Sequence, residues 1–121
     1  MITTFIRSYE ASAVIAAFVI VRFSDVAASS KVATAAANNQ PLIGTTGKIG
    51  ASAAGQMVDV TRVGLKQVQL GGTVNAGDGL TSDANGKAIA TTTVGHQVIG
   101  RAEQPGVAGD VIDYYASYGT L

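Results

Sequence analysis

The sequence predicts an all-β fold: a small barrel-like or sandwich domain led by an extended N-terminal arm. Three observations carry this. First, two stretches say nearly the same thing. Leu42-Ile43-Gly44 runs through Gly50 to Ala54-Gly55-Gln56-Met57-Val58-Asp59-Val60. Val98-Ile99-Gly100 runs through Gly106 to Ala108-Gly109-Asp110-Val111-Ile112-Asp113-Tyr114. In both, an apolar pair meets a glycine, a second glycine follows six residues later, and an Ala-Gly turn opens an alternating strand. Second, a third such turn, Ala76-Gly77-Asp78, lies between them. Third, turn signals recur at the short spacing expected of strands in a sandwich or barrel.

Residues 1–10 are β-leaning and show no helical apolar stripe, so they read as an extended arm or edge strand, with 11–121 as a single β domain. Ile2, Phe5 and Ile6 are apolar residues near a terminus. They either pack on the chain's own core or dock on a neighbour. Ile2, Thr3, Thr4, Phe5 and Ile6 are the candidate contact residues, able to add a strand to an exposed edge.

Residues 12–23 are rich in Val, Ile and Phe and read as one buried strand, straight or bent, with a short helix as the alternative its alanines leave open. Residues 31–37 form a weaker strand, and Asn38-Asn39-Gln40-Pro41 is a turn. An extended run resumes at Leu42, followed by a glycine-rich loop over 44–55. Residues 56–63 alternate, with Val58 and Val60 on one face and Asp59 and Thr61 on the other. Gly64 then breaks the chain before a second short strand over 65–70. Gly71-Gly72 and the segment 75–79 turn, and Leu80-Thr81 begins another strand. Asp83-Ala84-Asn85-Gly86 is the strongest hairpin signal, read as a type I′ tip because Asn-Gly accepts positive φ. Strands over 87–94, 97–102 and 110–118 complete roughly eight to ten. Gly55, Gly77, Gly86 and Gly109 are the turn glycines.

Composition narrows the function. Lys+Arg and Asp+Glu are equal at 8 each, so the chain has no electrostatic footprint for nucleic acid or an anionic membrane. Only 13% of residues are charged while 47% are hydrophobic, which suggests that a partner covers some of the surface. There is no cysteine, hence no disulfide framework and no thiolate metal site. Residues 11–21 imitate the apolar core of a signal peptide, but Glu10 and Arg22 flank it wrongly, and the run is too short to span a bilayer as a helix.

Reactive constellations are missing. His96 is the single histidine and reads as a surface or satisfied polar residue rather than a catalytic base. Gly44-Thr45-Thr46-Gly47-Lys48-Ile49 glances at a phosphate loop, but Leu42 stands where the first glycine belongs and Ile49 where a hydroxyl belongs. Asp83, Asn85 and Gly86 lack the rest of a calcium ligand series and read as Asx turns. Tyr114, Tyr115 and Tyr118 read as core or interface rather than a stacking platform. The sequence therefore predicts no enzyme, no cofactor and no metal.

As an ordered set, residues 54–60, 71–78, 80–88, 98–102 and 108–112 resemble the small cement or decoration proteins of tailed-phage heads, once grouped as a domain of unknown function. The resemblance covers about residues 11–116. It implies a compact domain of β-tulip-like form, often a homotrimer, on the outer face of an icosahedral virion. There it would bridge major capsid protein subunits against internal DNA pressure, and residues 1–10 would be the clasping arm. The competing expectation is a secreted or surface β-module that binds glycan or protein, as in an adhesin or spike.

Overall fold

The structure, a computed structural model, describes residues 5–24, 31–37, 42–47 and 50–120, with the side chains of 5–7, 63 and 117–120 outside that description. The described residues form nine strands and no helix: β1 (Phe5–Ala11), β2 (Ile20–Phe23), β3 (Lys31–Thr34), β4 (Leu42–Thr46), β5 (Met57–Gln69), β6 (Gly79–Ser82), β7 (Ala88–Ala90), β8 (Gln97–Ala102) and β9 (Val111–Thr120). The turn expected over 38–41 lies outside the described residues.

The strands run in the order β1-β3-β2-β4-β5-β9-β8-β6-β7. An added β1–β5 pairing closes the first five into a barrel, its seam being the parallel pairs Glu10–Lys31 and Ala11–Val32. The second half of β5 continues into β9, β8, β6 and β7. That second sheet returns on itself at a single parallel bridge, Leu70–Ala88.

These two halves are one architecture used twice. Ile20–Thr45 and Val21–Gly44 in β2–β4 match Gly79–Arg101 and Leu80–Gly100 in β6–β8. Tyr9–Val58 and Glu10–Met57 match Val68–Ile112 and Gln69–Val111. The isolated bridge Ile15–Ala51 matches Val74–Gly106. Bonds from Ala11 N to Gln56 O (2.8 Å) and Gly55 N to Ala11 O (2.8 Å) match Leu70 N to Asp110 O (2.7 Å) and Gly109 N to Leu70 O (2.9 Å). The near-repeat seen in the sequence is thus the better-preserved part of a tandem duplication, with residues 5–63 as repeat 1 and 64–120 as repeat 2.

Several expectations change. Residues 12–23 are not one strand. Ile15 forms a bridge, the chain turns at Ala17-Phe18, and only Ile20–Phe23 is β2. The segment was readable as continuous because both its bridge and its strand bury Val and Ile: Ile15, Val19, Ile20 and Val21 are all core. Nor does Gly64 end a strand. It takes φ 108 and lets β5 pass from one sheet to the other, its partner changing from Phe5 at Val63 to Ala116 at Gly64. Thr61, expected to face solvent, is buried. Its cross-strand partner Thr45 bonds Tyr114 of repeat 2 (2.6 Å), so repeat 2 covers that face. The β6–β7 hairpin is present, but its tip is not type I′. Phe18 is the one non-glycine with positive φ among the described residues, so Asn85 keeps negative φ. Strand pairing stops at Ser82–Ala88 and a longer loop is closed by Asp83 N to Lys87 O (2.9 Å).

Two apolar clusters fill the repeats. One holds Tyr9, Ala11, Ile15, Val19, Val21, Val32, Ile43, Ala51, Val58 and Val60, all from repeat 1. The other joins Val68, Leu70, Val74, Leu80, Ala88, Ile99, Ile112 and Tyr114 of repeat 2 to Ile20, Ala35 and Leu42 of repeat 1. Repeat 1 therefore supplies part of repeat 2's core.

Candidate functional site

The polar side chains that sequence reasoning weighed as chemistry serve turns. Asn75-Ala76-Gly77-Asp78 and Val107-Ala108-Gly109-Asp110 are the same device. In each, the aspartate N–H donates back to the first residue's carbonyl (3.2 and 3.0 Å). The aspartate Oδ2 accepts from the first residue's N–H (2.8 and 3.0 Å). Gly77 and Gly109, at φ 89 and 93, supply the left-handed position a type II turn requires. Ala53-Ala54-Gly55-Gln56 repeats the device with Gln56 Oε1 accepting from Ser52 N (2.8 Å), and Gly55 takes φ 90.

A fourth copy, Thr93-Val94-Gly95-His96, was not legible as one because valine replaces alanine. His96 N donates to Thr93 O (3.3 Å), Gly95 takes φ 95, and His96 Nδ1 lies 2.7 Å from Thr91 Oγ1, which accepts from Thr93 N (3.3 Å). His96 is a turn staple. Asp83 Oδ1 accepts from both Asn85 N (2.8 Å) and Lys87 N (3.0 Å), which is an Asx arrangement, and Gly86 takes φ 76. No group of three or more His, Cys, Asp or Glu able to hold a metal occurs among the described residues.

Of the phosphate-loop look-alike, Gly44, Thr45 and Thr46 belong to strand β4, while Lys48 and Ile49 lie outside the described residues. Thr45 and Thr46 are buried, Thr46 Oγ1 donates to Ala16 O (2.9 Å), and Thr45 Oγ1 meets Tyr114 Oη. A loop that cradles phosphate needs free backbone N–H groups in a turn, which a paired strand does not offer.

What remains is surface. Val14, Met57, Val94, Val107, Val111 and Tyr115 are the exposed large apolar residues among those described, with Val94 86% exposed. Val94 and Val107 sit in type II turns, and Met57 and Val111 are equivalent positions just after such turns. Of the candidate arm, Ile2, Thr3 and Thr4 lie outside the described residues. Phe5 and Ile6 belong to β1, registered with Val63 and Thr61 across a bulge. Residues 5–11 are thus a strand of the first barrel.

The inter-repeat contact was not legible in advance. Phe18, at φ 57, accepts a bond at its carbonyl from Gln69 N (2.8 Å), and Ile20 N donates to Gly86 O (2.7 Å). Phe18 occupies the place that Gly77 holds in repeat 2. Aligning the repeats would have flagged it as a left-handed position carrying a bulky residue.

No protein-family model matches the chain, and no curated protein matches it. A solved structure does. The crystal structure of head fiber gp8.5 N base in bacteriophage phi29 is similar to this chain with a TM-score of 0.66. The two are 21% identical, and the match covers 98% of each. The fold is shared from end to end.

Proposed function

We propose that this chain is a structural protein of a tailed-phage head. It attaches as a cement or decoration protein to the outer face of the capsid and bridges major capsid protein subunits as a homotrimer. The observation that carries the reading is end-to-end likeness, at 98% coverage of both chains, to the base of a phage head fiber. The ordered resemblance to cement proteins supports it from the sequence side. So does a surface whose polar groups are spent on turns while valines crown them. Weak contacts repeated over a lattice hold firmly in sum, so no single strong site is required. Ile2, Thr3, Thr4, Phe5 and Ile6 contact the shell or a neighbouring copy in this reading. The chain carries no catalytic role.

The test is particle stability. Heads carrying the chain release DNA at a higher temperature than heads stripped of it, because a ligand that binds the intact lattice more tightly than the broken one stabilises it by linkage. Equal release temperatures overturn the cement role. Retention on heads with no gain in stability would favour a fiber-base role, in which the chain anchors an outward module. Absence from purified heads would favour the surface adhesin.

A further inference from the structure

The loop from Asp83 to Lys87 carries a reactive pair that its turn does not use. In an asparagine followed by glycine, the main-chain N–H that follows reaches the side-chain amide most readily, because glycine adds no Cβ to block the approach. Of the chain's four asparagines, Asn38, Asn39, Asn75 and Asn85, only Asn85 precedes glycine. The fold leaves this pair open to reaction. Asn85 is exposed. Asp83 Oδ1 accepts from the N–H groups on either side, Asn85 N (2.8 Å) and Lys87 N (3.0 Å), and passes over Gly86. Among the described residues nothing accepts from the Gly86 N–H, so no hydrogen bond has to break before it reacts.

The Gly86 carbonyl, by contrast, is committed. It accepts from Ile20 N (2.7 Å), and the Ile20 carbonyl accepts in turn from Ala35 N (2.9 Å). Gly86 is buried, and a Cβ there would press on Thr34, Ile20 and Ala35. Ile20 and Ala35 are among the residues that repeat 1 places in the core of repeat 2. The nucleophile and an anchor of the repeat boundary therefore belong to one residue.

We propose that Asn85-Gly86 is a spontaneous modification site whose reaction loosens the repeat boundary. The Gly86 nitrogen gives its proton to solvent base and attacks Asn85 Cγ. The new N–Cγ bond closes a cyclic imide, the bond from Cγ to the amide nitrogen breaks, and ammonia leaves. Water then opens the imide at either carbonyl. Opening at Cγ leaves aspartate in an unaltered main chain. Opening at the main-chain carbonyl leaves isoaspartate, whose backbone runs through Cγ and is longer by one carbon. In sum, amide and water give carboxylate and ammonium, with no oxidant and no cofactor. Both products add a negative charge to the loop that already holds Asp83. The longer one also displaces Gly86, which has no room to shift while it keeps Ile20 N. The inference does not rest on attachment to a phage head.

The full-length chain, aged in mildly alkaline buffer, tests it by peptide mapping with enzymatic detection of isoaspartate. Asn85 converts about tenfold or more faster than Asn75, an exposed turn asparagine followed by alanine. Isoaspartate appears with aspartate at position 85, and conversion slows as pH falls, because the attacking N–H must lose its proton. In the aged chain the Ile20 amide exchanges with deuterium about tenfold or more faster than in the fresh chain, while amides of the β1–β5 ladder keep their protection. Asn85→Gln, whose longer side chain would have to close a larger ring, keeps slow Ile20 exchange over the same period. An Asn85 that stays intact in the folded chain while it converts in denaturant, conversion no faster than at Asn75, or aspartate without isoaspartate overturns the site. Unchanged Ile20 exchange in fully converted protein overturns the loosening.

Discussion

Repeat 1 and repeat 2 have the same strand order and register, yet they are finished differently. Repeat 1 closes on itself through two parallel pairs and fills its barrel with its own side chains. Repeat 2 closes at one bridge and takes Ile20, Ala35 and Leu42 from repeat 1 into its core. Their interiors trade volume rather than match residue by residue. Tyr9 stands where repeat 2 has Val68, and Val60 stands where repeat 2 has Tyr114, so among the described side chains each repeat buries one tyrosine, at a different level. The tyrosine hydroxyls find different partners. Tyr9 accepts from Arg62 Nη1 (2.6 Å) within repeat 1, whereas Tyr114 meets Thr45 across the repeat boundary. A duplicated unit keeps its backbone plan and loses sequence likeness because packing fixes total volume and hydrogen-bond satisfaction, not the identity of each side chain.

Three measurements sharpen that comparison. The largest effect is expected at Gly44. It lies at φ 150, and an added Cβ would collide with the Thr61 backbone carbonyl, which cannot move without opening the β4–β5 ladder. Gly44→Ala should therefore destabilise by about 3 kcal/mol or more. A thermal melt close to that of the wild type would show that this close approach is not needed to hold the first barrel.

Next is the repeat boundary. Tyr114→Phe removes a hydroxyl from a buried pair and leaves Thr45 Oγ1 short of a partner, costing about 1–2 kcal/mol. Tyr9→Phe should cost less, because its hydroxyl bond to Arg62 is part-buried whereas the Thr45–Tyr114 pair is fully buried. Chemical denaturation of both variants checks the order. A larger loss at Tyr9 would mean that the first barrel, not the boundary, is the more dependent on its tyrosine.

The smallest effect concerns the matched turns. Gly77 and Gly109 have open space around them, so a methyl group would clash with nothing, and only left-handed strain opposes it. Gly77→Ala and Gly109→Ala should each cost about 1–2 kcal/mol, and by nearly the same amount. Unequal melts would show that the two turns, alike in geometry, carry different loads.

By itself the sequence determined the class and the punctuation. Alternating strands such as 111–116, with Ile112, Tyr114 and Ala116 buried and Tyr115 exposed, are legible because side chains of a strand alternate faces. The Ala-Gly turns are legible because few residues other than glycine accept φ near 90°. The paired motifs at 42–60 and 98–114 were legible as repeated turn punctuation, while the duplication behind them was visible only in the matching strand registers. Tertiary structure decided the rest. It split 12–23 at a left-handed Phe18, a conformation no local preference favours and which the Gln69 contact helps to hold. It carried β5 through Gly64 into a second sheet, since a glycine that frees the chain does not say whether the freedom is used to stop or to bend. It also turned Thr45, Thr61 and Tyr114 into a buried boundary. Burial of a threonine depends on what packs over it, and that partner lies 69 residues away along the chain in the case of Thr45 and Tyr114.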